Sequence, residues 1–115
     1  METFSIADKV EFSDARQVRK RLVMSERIEM EMVCYEPGQQ TVEHHHVGQD
    51  EIFHILEGGG TVLVAGEPVP VSAGSVVFIP ADVKHSVETS DTRLVMVFFK
   101  SPGRSARKSS MTEEN

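Results

Sequence analysis

A single cysteine, Cys34, leaves nothing within the 115 residues for it to pair with, so an intrachain disulfide is excluded. Cys34 is read as a small buried hydrophobe rather than a nucleophile. No stretch approaches the roughly 20 apolar residues that cross a bilayer. The opening METFSIADKVEF has charges scattered through it, unlike a secretory leader. These absences set the expectation of a cytoplasmic protein with no membrane partner. Positive charge is short as well. Twelve Lys and Arg stand against 18 Asp and Glu, a formal net charge of −6. Phosphate backbones need a basic stripe, so nucleic acid is not an expected partner. Long amphipathic helices and repeats of fixed period are also missing.

What is present fits one globular domain: 39% hydrophobic and 26% charged residues. Surface scaling gives roughly 6,300 Å² folded against about 18,600 Å² unfolded, which buries enough for one modest core. Residues 1–17 read as an edge segment in which Phe4, Ile6, Val10 and Phe12 sit among charges. Strand patterns follow over residues 18–24 and 28–35, separated by a hairpin-length gap. In the second, Ile28, Met30, Met32 and Cys34 alternate with Glu29 and Glu31, the pattern of a strand with one face inside and one outside. Further strands are predicted at residues 41–46, 51–56, 61–65, 69–71, 75–79, 84–89 and 93–100. Turns are expected at Gly38, at Gly58–Gly60, at Gly66 and at Gly74. Nine or ten short strands with this spacing indicate an all-β sandwich or barrel over residues 18–100. Residues 101–115 are rich in Ser, Arg, Lys and Glu and read as a disordered tail.

The stretch GQQTVEHHHVGQDEIFHILEG, residues 38–58, concentrates the chemistry. On an extended strand His44 and His46 share a face and His45 points away. Glu51 follows five residues later. Two imidazoles and a carboxylate are donors that a divalent transition metal accepts. Solvent-facing histidines are the ordinary alternative, and His45 is assigned to it.

The spacing from Gly38 through His44, His46 and Glu51 to Gly58 resembles the first motif of the cupin superfamily. The run from Gly74 through Pro80 to Lys84 and His85 resembles the second. Asp82 stands where that family usually has glycine, and Thr89 where it often has asparagine. Asp tolerates turn conformations, so no loss of fold is expected. The resemblance implies a double-stranded β-helix, or jelly roll. It implies one divalent transition metal (Fe, Mn, Ni, Co, Cu or Zn) held by His44, His46, Glu51 and His85, with Glu51 also acting as a base. Four ligands would leave two positions of an octahedral site for substrate or dioxygen.

The expected pocket is lined by Phe53, by some of Met24, Met30 and Met32, and by Phe98. Few charged groups are expected in it, which argues against a sugar phosphate and for a small aromatic, enol or keto-acid ligand. His54 has the opposite parity to Glu51 and is assigned to the surface or a subunit contact. Tyr35 is a candidate donor behind the site. Ile52, Leu56, Val62 and Val64 are expected on outer faces, which suggests a homodimer. The function expected is a metal-dependent dioxygenase acting on a small molecule. The alternatives are a non-redox isomerase or lyase, weakened because no inward Tyr or Lys is expected beside Glu51, and a ligand-binding or sensing module without turnover.

Overall fold

Two long strands carry the architecture. β-Branched and aromatic residues recur along residues 50–64 and 85–101, and each segment forms one continuous strand. A computed structural model describes residues 1–103. After a single 3-10 turn (Ile6–Lys9), its strands are β1 (Val18–Met24), β2 (Glu29–Tyr35), β3 (Gln40–His44), β4 (Asp50–Val64), β5 (Glu67–Ser72), β6 (Val76–Ile79) and β7 (His85–Ser101). All pairings are antiparallel, and β4 lies against β7 from Asp50–Ser101 at one end to Val64–His85 at the other. Around residues 50–58 of β4 and 94–101 of β7 the order is β1-β2-β7-β4-β6. Around their other halves it is β3-β7-β4-β5. The two halves enclose a common core that includes Val33, Tyr35, Phe53, Ile55, Val62, Met96 and Phe98. This is the all-β jelly roll expected.

Several expected boundaries change. Gly58–Gly60 is not a turn, because the strand passes through it with register shifts between Ile55 and Glu57 and between Gly58 and Gly60. Glycine is required here by close approach. Gly58 has φ +80°, and a Cβ on it would strike the Arg93 carbonyl; one on Gly60 would meet the Glu88 carbonyl. The inward phase changes across this bend, from odd positions such as Phe53 and Ile55 to Val62. Val62 is therefore inside, and Val64 packs against the same core, not on the outer face expected for both. Gly58→Ala should lower stability by about 2–3 kcal/mol in urea unfolding. A cost within about 0.5 kcal/mol, the usual range for a surface change, would mean that the bend tolerates a side chain. β5 carries Pro68 and Pro70 and pairs only with β4, as proline requires of an edge.

β2 alternates as expected, but its faces are reversed. Glu29 and Glu31 are buried and point the same way as Val33 and Tyr35, into the barrel. Lys100 makes this tolerable: its buried ammonium lies 3.0 Å from Glu31 and 3.8 Å from Glu29. Arg19 adds a 3.2 Å contact to Glu31. Burial would raise the Glu31 pKa, but Lys100 and then Arg19 overcome it and hold it below its ordinary value of 4.5.

The apolar face of β2 is the outer one. Met32 and Cys34 cluster there with Val95 and Val97, covered by Ile6, Val10 and Phe12 of the N-terminal segment. Gln39 Nε2 donates to the Ser13 carbonyl at 2.7 Å, and the Arg93 guanidinium stacks 4.1 Å from the Phe12 ring centre while gripping Glu36. At the other end Ser101 closes β7, and Gly103 N donates to the Glu26 carbonyl at 2.8 Å. The remainder of the expected tail, residues 104–115, lies outside the described residues. Among the described residues no helix is long and apolar enough to cross a membrane.

Candidate metal centre

Two loops are stitched together to bring the histidines into register. β3 ends at His44, earlier than expected, so His46 sits in the connection to β4 rather than on a strand. Asp82 N donates to the His46 carbonyl at 3.1 Å, and Asp82 Oδ1 accepts from Gly48 N at 3.1 Å. Ala81 N donates to Asp50 Oδ1 at 3.0 Å. Asp82 has φ +71°, the left-handed conformation for which the family uses glycine. Its carboxylate supplies the cross-link to Gly48 that a glycine could not. Thr89, the second departure, donates to the Gln39 carbonyl at 2.6 Å.

His44, His46 and His85 are buried, and their ligand nitrogens all lie within 4.8 Å of one another. Their rings meet edge-on or tilted, with centroids 4.4–5.4 Å apart. His45 is only half-buried and lies outside this group. Glu51 opens β4 beside β6 and points inward, its Oε1 lying 3.1 Å from His85 Nε2 and 3.5 Å from His46 Nε2. The carboxylate thus sits on the His46–His85 side of the cluster.

Ring tautomers follow from the outer contacts. His44 Nδ1 lies 2.8 Å from the Val42 carbonyl and His85 Nδ1 2.8 Å from the Val83 carbonyl. A carbonyl oxygen only accepts, so both Nδ1 atoms carry hydrogen. In a neutral ring Nε2 then offers a lone pair to the centre, the arrangement that orients metal-binding histidines. Burial, followed by the coulombic effects of Lys100 and the neighbouring imidazoles, holds His46 down to about 2. Burial first, and then His85, lowers His44. Both rings are neutral at pH 7, so the short His46–Glu51 contact is not an ion pair. His85 Nε2 and Glu51 Oε1 are buried and, although 3.1 Å apart, are not aligned for a hydrogen bond. A shared cation satisfies both. His44, His46 and His85 therefore offer a donor set that fits a divalent transition metal, with Glu51 Oε1 standing against two of the three rings.

The walls differ from expectation. Phe53 and Phe98 line the interior beside Glu51, as expected, but the methionine there is Met96. Met32 belongs to the outer cluster, Met30 packs against it, and Met24 is exposed. Tyr35 is inward and fully buried, its hydroxyl 2.8 Å from Thr41 Oγ1, and burial pushes its pKa up to about 12. Arg19 also lines this interior, a cation not named among the few charged groups expected there. The parity of Tyr35 was readable from Cys34. Arg19 gave no signal, because it lies in the basic run Arg19–Lys20–Arg21, which reads as a solvent face. His54 is half-buried on the outer side, away from the cluster.

Comparison with known proteins agrees with this fold. The chain is 39% identical over 54 residues to an oxalate-binding protein of Thermotoga maritima, covering 47% of the chain and 45% of that protein. It is 30% identical over 66 residues to quercetin 2,3-dioxygenase of Bacillus subtilis, covering 57% of the chain and 20% of the enzyme. The chain spans about half the length, or less, of these curated relatives. The crystal structure of TT1209 from Thermus thermophilus superposes with a TM-score of 0.83 at 25% identity, covering 89% of this chain and 98% of that one. The family model described as a cupin domain matches residues 31–99. With its fold and more than half its length so matched, the chain belongs to the cupin family.

Proposed function

We propose that this cupin is a mononuclear metal-dependent enzyme acting on a small molecule, in the manner of a dioxygenase, with His44, His46, Glu51 and His85 holding one divalent transition metal. The observation that carries the reading is the convergence of neutral imidazole nitrogens on a carboxylate that no hydrogen bond engages on that side. Bound there, the metal would supply Lewis acidity and a template for substrate and dioxygen. Phe53, Met96 and Phe98 keep water from the interior. Glu51 Oε1 is the basic atom nearest the cluster and is assigned the substrate proton. Tyr35 stays protonated across the working pH range and offers a hydroxyl, with Thr41, to a bound oxygen. The likeness to quercetin 2,3-dioxygenase supports this reading.

A non-redox isomerase or lyase is the second reading. It gains from Tyr35, whose hydroxyl faces inward as its parity led us to expect. Binding without turnover is supported by the relative named for oxalate binding. The test is metal content after purification without added metal, then oxygen uptake on a panel of enols, catechols and thiols. Stoichiometric redox-active metal with oxygen consumption supports the dioxygenase. Bound metal with no uptake moves the reading to the second or third form, and a folded chain that takes up no metal at neutral pH removes the metal-site reading.

A homodimer is proposed on a separate observation. Met30, Phe99, Ile52 and Phe78 are successive cross-strand neighbours on the outer face. Ile52 is 42% exposed, Phe78 57% and the nearby Val76 62%. Met30 and Phe99 pack against the cluster that the N-terminal segment covers, whereas Ile52, Val76 and Phe78 lie outside it. A second copy would bury this row against itself by a two-fold. Phe78→Glu should convert dimer to monomer in light scattering after size exclusion; a monomeric parent chain would end the proposal.

A further inference from the structure

Arg19 gives one contact to buried Glu31 and also faces open space beside the candidate metal centre. It lines the interior beside Glu51 and Tyr35. It also lines an open cavity of about 460 Å³ outside, with Arg16, Gln40 and Glu43. Thr41 and His44 are shared by the same two linings. A molecule that touches Arg19 in either space is therefore beside His44.

The guanidinium is only partly committed. Its Nη1 donates to Glu31 at 3.2 Å, and its Cζ stacks 5.2 Å from the Phe98 ring centre. Among the described residues Glu31 is its one hydrogen-bond acceptor. Arginine carries five N–H donors in a planar fork that matches a carboxylate. The side chain is 23% exposed, so the fork is reachable.

Charge points the same way. Arg19 and Lys100 offset Glu29 and Glu31, their contact partners. Glu51 with a divalent ion leaves a net charge of roughly +1, which one anionic group neutralises. Apart from Arg19, the inner lining is Phe53, Val87, Met96 and Phe98 with the Tyr35–Thr41 hydroxyl pair and the ligand side chains. The inner void is about 10 Å³, room for no more than a single water, so a ligand would reach Arg19 from the outer side. The outer cavity is of ordinary size for a small-molecule body.

We propose that the substrate or ligand is a small monoanionic carboxylate, gripped by Arg19 at the junction of the two cavities, with its body in the outer cavity. This deepens the metal-centre reading and rests on it for the net positive charge. It narrows the expectation, drawn from sequence, of a small aromatic, enol or keto-acid ligand to an acid. Arg19 is assigned as the residue that selects an acid over its neutral isostere.

The test pairs carboxylates with their amides on the metal-loaded protein: pyruvate with pyruvamide, benzoate with benzamide, salicylate with salicylamide. Binding is read by titration calorimetry, and metal per chain is measured on each sample. At least one acid should bind about tenfold or more tighter than its amide. Arg19→Gln should erase that preference without changing metal content. Arg19→Lys keeps a charge for Glu31 but loses the fork, so it guards against misfolding and should recover only part of the preference. Arg16→Gln should leave the preference intact. No acid preferred over its amide, or wild-type preference in both Arg19 variants, would overturn the proposal. An Arg19-dependent preference in a protein that holds no metal would sink the metal reading and keep this one. Stoichiometric metal with no acid preference would do the reverse.

Discussion

His85→Ala should lose at least about 100-fold in metal affinity while keeping its strands. Losing a partner that merely orients a ligand already costs about 10–100-fold, and His85 is assigned as a ligand itself. Its Nδ1 is fixed by the Val83 carbonyl at 2.8 Å, and its Nε2 stands 3.1 Å from Glu51. Among the described residues no other histidine can take over, because His45 is outside the cluster and His54 lies across the sheet. The measurement is metal per chain by elemental analysis, with affinity by competition against a chelator and circular dichroism as the folding control. His45→Ala is the comparison and should bind like the parent. Unchanged affinity in His85→Ala would show that the metal, if any, is held elsewhere.

Lys100→Met should cost about 3–5 kcal/mol, the usual penalty for leaving buried charge uncompensated. Lys100 is fully buried, and both of its carboxylate neighbours are buried with it. Adding Glu29→Gln and Glu31→Gln to the same chain should recover most of the loss, since the penalty lies in the stranded carboxylates. Chemical denaturation reads both. A single variant within about 1 kcal/mol of the parent would mean that water or rearrangement relieves the pair. The pH dependence has a definite sign. Glu31 is depressed in the folded chain, so its contribution is complete above 4.5 and is lost as pH falls through the lower folded value. Without Lys100, burial acts with less opposition, and the loss should begin at higher pH.

β2 explains why the fold was legible while part of the interior was not. A period of two says that the faces of a strand differ; it does not say which is inside. Glu29 and Glu31 looked like the solvent face because their compensating charges, Lys100 and Arg19, come from other strands. Met30 and Met32 looked like core for the barrel, yet they belong to the outer cluster covered by residues 6–12. Gly58–Gly60 carried the composition of a turn, and only the close carbonyls of Arg93 and Glu88 identify it as a bend in one strand. The histidine pair was legible because both rings face inward even though β3 ends at His44. His85 was reachable from sequence only by resemblance, since its contact with His44 is made by pairing across the barrel. The exposed row through Ile52 and Phe78 was half-seen. Ile52 was expected outside, but the two apolar faces of β6 left Phe78 undetermined.

The β4–β7 ladder also dictates an order of assembly. Its Val64–His85 end joins residues near in sequence, and its Asp50–Ser101 end joins residues far apart. Closing the far end first would cost more chain entropy, so pairing should advance from His85 towards Lys100. His44 meets His85 at the early end, while Glu51 pairs with Lys100 at the late one. The nitrogen donors can therefore gather before the carboxylate arrives. A refolding chain offered Co(II) should gain its final absorption spectrum only in its slowest phase; the final spectrum ahead of complete strand pairing would contradict that order.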